Sequence, residues 1–124
     1  MKIKEIAQKY NLSKDDFWEL KRGTRSMWII THDACEKIAA QENIQFGAPT
    51  IYRDSNQDVA IVGDAKRGNK IIWSTGEASP KNCKAPYPFA MAEKRLKDRL
   101  VLKLINAYEY GIYSDSEADN FKKQ

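Results

Sequence analysis

Histidine and cysteine are scarce in this sequence, and no long apolar run occurs in it. There is one histidine, His32, and there are two cysteines, Cys35 and Cys83. Neither cysteine has a CxxC or Cys/His neighbour at zinc spacing, and nothing in their placement calls for a disulfide. Two reduced thiols in a cytosolic protein are expected. No stretch approaches the ~18 consecutive apolar residues of a membrane span. The opening MKIKEIAQKY lacks a signal-peptide core, so neither membrane insertion nor secretion is expected. There is no GxxxxGK[ST] and no GxGxxG. The carboxylates Asp58, Asp64, Glu77 and Glu93 form no DxD or ExK grouping of the kind that holds Mg²⁺ for a nuclease. His32 stands beside Asp33 at a helix start, but no motif supplies a nucleophile, so it reads as structural rather than as part of a triad. No catalytic residue, metal site or cofactor is expected.

What is present is ordinary in amount and uneven in distribution. The 124 residues are 42% apolar and 31% charged, the balance of one soluble globular domain. The net charge is +4, yet residues 66–103 hold ten basic residues against three acidic ones, leaving −3 for the rest of the chain. A block of this kind makes a positive surface that attracts polyanions over about a Debye length.

Periodicity and punctuation give the element order. Ile3, Ile6, Ala7 and Tyr10 share a helical face. Ser13 and Asp16 have capping-box spacing, which predicts a second short helix through Leu20, ended by Lys21, Arg22 and Gly23. Met27 to Ile30 is apolar and reads as a short strand or anchor. Thr31 caps a helix over residues 32–43 with Ala34, Ile38 and Ala39 on its buried stripe. An edge strand starts at Ile44, is interrupted by Gly47 and Pro49, and resumes at Ile51 and Tyr52. Residues 59–62 and 70–75 read as partner strands about a tight basic hairpin at Arg67, Gly68 and Asn69. Pro80, Pro86 and Pro88 mark a loop, followed by a long helix over residues 89–108 centred on Phe89, Leu96, Leu100 and Leu104. Gly111 stops it, and Ser114 with Glu117 starts a short acidic helix. The fold class is therefore α+β: helix, three-stranded antiparallel meander and long basic helix in two layers, with short helical extensions at both ends. Residues 1–30 form the N-terminal extension, 31–110 the core and 111–124 the acidic C-terminal helix.

The basic residues suggest where a polyanion would bind. Arg95, Arg99 and Lys103 recur every four residues, one ridge with charges stepping by about 6 Å along the axis. Lys94 lies on another face. Such a ridge follows a phosphate backbone without reading sequence. Arg67 and Lys70 on the hairpin, and Lys81 and Lys84 in the loop before Tyr87 and Phe89, complete the candidate set. On this reading, reversing Arg95 and Arg99 to Glu removes binding and leaves the fold intact.

WIITHDACEKIA, then three strands, then STGEASPKNCKAPYPFAMAEKRLKDRLVLKLI and YGIYSDSEADNF resemble small bacteriophage and prophage proteins over nearly the whole chain. The layout, with its KRLKDRL helix and the alanine-rich approach AMAEK, also resembles the core of the single-strand annealing recombinases. These are the Redβ-, Erf- and Sak-like phage proteins and the eukaryotic Rad-type annealing protein. The resemblance implies a non-enzymatic, oligomeric protein of the host cytoplasm that holds single-stranded DNA by its backbone, with bases exposed for pairing. It implies phage or host recombination proteins as partners. The matching positions are Lys94, Arg95 and Arg99 on the helix, with Arg67 and Lys70 on the hairpin. The chain departs from the family in being short and in having an acidic terminal segment. Two other readings stay open. One is a double-stranded RNA-binding domain, which has the same order of elements. The other is a small protein-interaction module, such as a phage inhibitor of a host factor.

Overall fold

In the computed structural model, which describes residues 3–53, 58–81 and 87–117, helices and largely antiparallel strands combine in an α+β fold. Helix α1 (Ile3–Lys9) buries Ile3 and Ile6. The Ser13–Asp16 capping box is present, with Asp16 accepting from the Ser13 amide at 2.9 Å. It closes only a 3₁₀ turn, Lys14–Asp16, and not the expected second helix. Beyond it the aromatic and alternating residues of β1 (Phe17–Arg22) pair antiparallel with β2 (Arg25–Ile30) across Gly23 and Thr24. Gly23 has φ +58°, the left-handed region that glycine supplies in a two-residue hairpin loop.

Helix α2 (His32–Gln41) begins as its cap predicts, with Thr31 Oγ1 accepting from the Ala34 amide at 3.0 Å. The interrupted strand follows as β3 (Gln45–Phe46) and β4 (Thr50–Arg53), both paired to the same side of β5 (Val59–Arg67). Gly47, whose amide still donates to the Asp64 carbonyl at 2.9 Å, leaves room for the Asp64 side chain: a Cβ there would stand 2.0 Å from Asp64 Oδ1. Strand β6 (Lys70–Ala78) returns along β5 from the tight turn at Gly68 and Asn69. Both strands run three or more residues beyond the sequence expectation.

Helix α3 (Pro88–Leu104) starts with proline at its first turn, where the missing amide costs nothing. It ends before the expected boundary because Asn106 adopts a left-handed conformation, and Gly111 (φ +72°) closes the 3₁₀ turn Ala107–Tyr110 beyond it. The expected acidic terminal helix is replaced, over the described residues, by β7 (Ile112–Ser114) and a 3₁₀ turn, Asp115–Glu117; residues 118–124 lie outside the described residues. Strand β7 runs parallel to β2, making a three-stranded sheet that the sequence reading did not anticipate. Among the described residues no helix is long and apolar enough to cross a membrane.

The helix-facing side of the four-stranded sheet sets small residues among Val59, Ile61 and Ile72. Gly63, Ala65, Ser74, Gly76 and Ala78 share one face by strand alternation and register. A Cβ on Gly76 would lie 2.1 Å from the Ala92 carbonyl oxygen and 2.6 Å from the Leu96 amide nitrogen, so helix and strand meet backbone to backbone. On its other sides α3 meets α2, β7 and the final turn. Burial of Ala92, Arg95, Leu96, Asp98, Leu100, Val101, Leu102 and Leu104 follows from that central position. One buried cluster links Ile6, Ile30, Ile38, Ile61, Leu100 and Ile112 across both sheets.

The Gly76 contact makes a sharp prediction. Gly76→Ala must lift α3 from β6, because the atoms it strikes are main chain. It should destabilise the protein by about 2 kcal/mol or more. A lower urea midpoint at unchanged m value is the expected result, and an unchanged midpoint would show that the helix does not sit this close.

Candidate nucleic-acid interface

The ridge expected on the long helix does not face solvent as a unit. Arg95 is 1% exposed. Its Nε donates to the Ser116 carbonyl at 2.7 Å and its Nη1 to the Glu77 carbonyl at 2.9 Å. Arg99 donates from Nη1 to the Thr75 carbonyl at 2.8 Å, grips both carboxylate oxygens of Glu77 at 2.9 Å, and reaches Glu117 through Nε at 2.6 Å. The cause is topological. Strand β6 pairs only with β5 among the described residues, and its Thr75 and Glu77 carbonyls on the other edge would otherwise be open. One helical turn separates the two arginines, and alternate residues of a strand present carbonyls to one edge, so the two guanidinium groups cap that edge. Hydrogen bonds from Arg99 hold the Glu77 carboxyl below its usual range despite partial burial. Burial of Arg99 opposes its charge, but Glu77 and Glu117 outweigh this and raise its pKa.

The remaining candidates are dispersed. Lys103 is exposed, and its Nζ donates to Ser74 Oγ at 3.1 Å. Lys94 is exposed on α3, as is Lys81 beyond β6, whereas Lys84 lies outside the described residues. At the β5–β6 turn Lys70 is exposed, while Arg67 Nη1 is 3.5 Å from Glu42 Oε2. Lys97 pairs with Glu93 at 3.7 Å and sits 5.8 Å from the centre of the Phe46 ring.

A polar cluster lies beneath the start of α2. His32 Nδ1 is 2.6 Å from Asp98 Oδ1, and Nε2 is 3.0 Å from Glu36 Oε1. Ser114 and Ser116 donate to the other Asp98 oxygen at 2.5 and 2.9 Å, and the His32 amide donates to Asp115 at 3.0 Å. Both serine hydroxyls are thus bound to the carboxylate, not to His32 Nε2. The arrangement anchors the C-terminal turn to α2 and α3, and it does not have the nucleophile-to-base hydrogen bond of a triad. The Asp98 hydrogen bond raises the His32 pKa against the effect of burial, while burial raises Asp115 and pushes the Cys35 thiol well up.

A surface that the basic residues did not point to is the outer face of the four-stranded sheet. In β6 the small Ser74, Gly76 and Ala78 take the helix side, and Ile71 and Trp73, of opposite parity, fall outside. Trp73 is 67% exposed, Ile71 64% and Tyr52 58%. Register puts Tyr52 opposite Ala60, Trp73 opposite Asp64 and Ile71 opposite Lys66, all on this face. Parity was the available signal: Ser74, Gly76 and Ala78 alternate with Ile71, Trp73 and Thr75. A hollow of about 590 Å³ at one end of the sheet is lined by Tyr52, Arg53, Asp58, Ala60 and Glu77 among others. The chain matches no family model, no curated protein and no solved structure.

The buried polar groups generate two predictions. Arg95→Glu places a carboxylate against the carbonyls of Glu77 and Ser116, so it should destabilise the fold by about 3 kcal/mol or more. Lys94→Glu, on the exposed side, should change stability by under about 0.5 kcal/mol. Thermal and urea unfolding measure both, and an Arg95→Glu protein as stable as wild type would restore the solvent-facing ridge. For His32, a folded pKa above the unfolded value means its contribution is complete below about pH 6.5 and declines as pH rises through the folded pKa. As pH rises from about 6.5 through the folded pKa, the wild-type protein should lose stability relative to His32→Gln. Parallel stability curves for the two would contradict the imidazolium–Asp98 pairing.

Proposed function

We propose that the protein binds single-stranded DNA without enzymatic turnover, as a phage-type protein of recombination or replication in the host cytoplasm. The observation carrying this reading is the outer face of the four-stranded sheet, exposed among the described residues, with Lys66 on it. An open sheet face with exposed aromatic residues and a flanking cation combines the two attractions a single strand offers, stacking and phosphate charge. The resemblance to annealing recombinases supports the same class of ligand. With it go assembly of several copies along the strand and recombination proteins as partners.

A second reading, a protein-interaction module, is favoured by the apolar character of Ile71 and Trp73 on the same face. Fluorescence anisotropy with a labelled ~30-nucleotide strand at three salt concentrations, compared with duplex DNA and duplex RNA, separates the readings. Preferential single-strand binding that weakens steeply with salt is expected. Lys66→Glu should weaken binding and flatten the log–log salt slope by about 0.7, the amount for one lost phosphate contact. Failure to bind any of the three nucleic acids at low salt would overturn the proposal in favour of protein docking.

A further inference from the structure

The outer sheet face has a relief that bears on how a strand would lie on it. Its two aromatic residues stand apart: Tyr52 projects from β4 opposite Ala60, and Trp73 from β6 opposite Asp64. With ~3.3 Å per residue and ~4.8 Å between strands, their backbone positions are roughly 16 Å apart on the diagonal. Between them the surface is low, with Val62 on the central strand and Thr50 and Thr75 directly beside it.

Of the acidic groups on this face, Glu77 has a partner within the fold and Asp64 is exposed. Glu77 is gripped by Arg99, and the Asp64 carboxylate lies against Gly47, in the space a Cβ there would fill. Lys66, opposite Ile71, leaves a cation on the face, whereas Lys70, opposite Arg67, falls on the other side by strand alternation. The threonines and Asp64 interrupt the apolar area that a protein partner would need, whereas isolated rings suit bases, each of which has a flat face to stack.

We infer that single-stranded DNA crosses this face with its bases stacked on Trp73 and Tyr52 and its phosphates toward Lys66, an inference that rests on the single-strand reading above. The orientation is opposite to the one implied by the annealing-family resemblance, in which the backbone is held and the bases point away. Bases seated on the sheet are withheld from pairing while bound, so the face protects a strand and does not present it.

The test compares a normal strand with a fully abasic strand of equal length, using wild type, Tyr52→Ala, Trp73→Ala and Trp73→Phe. Both residues are more than half exposed, so thermal midpoints should be unchanged. Each alanine variant should bind the normal strand about tenfold more weakly with the same salt slope, and Trp73→Phe should retain most of the affinity. On the abasic strand, wild type should be weakened and the alanine variants should match it. Wild type binding the abasic strand as tightly as the normal one, or alanine variants binding the normal strand like wild type, would overturn the inference alone. Wild type failing to bind the normal strand would overturn both the inference and the reading beneath it.

Discussion

The absence of a side chain at Gly76 governs much of this structure. Because nothing intervenes between the backbones of β6 and α3, the helix lies close enough for Arg95 and Arg99 to reach the carbonyls of Glu77 and Thr75. Those bonds close one edge of the sheet. Through the Ser116 carbonyl and the Glu117 carboxylate, the same guanidinium groups hold the final turn, which Asp98 secures again through Ser114 and Ser116. A helix admitted by small residues on one side of the sheet leaves the bulky Ile71 and Trp73 on the other.

This arrangement divides the positive block by residue type. Arg67, Arg95 and Arg99 each have carboxylate or carbonyl partners within the fold and Lys97 pairs with Glu93, while Lys66, Lys70, Lys94 and Lys103 are exposed. The division follows from chemistry. A planar guanidinium offers several fixed donors and is weakly hydrated, so it suits buried carbonyls, whereas an ammonium is strongly hydrated and stays in water. The charge that these four lysines offer a polyanion is spread over the hairpin, the outer face and one side of α3.

The parts of the fold legible in the sequence are those fixed by local rules. Thr31 caps α2, Gly47 and Pro49 break the edge strand, and Gly68 with Asn69 makes the turn. The capping box at Ser13 was legible too, but its consequence was not. A cap starts a turn, and the conformation of the next residues depends on whether Phe17 and Trp18 find a strand partner, here supplied by β2. Strand β7 is three residues long and exists through pairing with distant Trp28, Ile29 and Ile30, which leaves no periodic trace. The four-residue spacing of Arg95, Arg99 and Lys103 correctly placed them along one side of a helix. Spacing does not say what lies opposite that side, and here it is the open edge of β6 and the final turn. The aromatic face went unread because it shows only when strand parity is compared with the small residues that admit the helix.

The central claim is that the ligand lies on the outer face of the four-stranded sheet. Amide and indole chemical-shift mapping of the ¹⁵N-labelled protein during titration with an unlabelled single strand tests it most directly. The account predicts saturable shifts at Tyr52, Val62, Lys66, Ile71 and the Trp73 indole, with little change at Arg95 and Ser116. Shifts confined to α3 around Lys94 and to the final turn, with the sheet face unmoved, would contradict it.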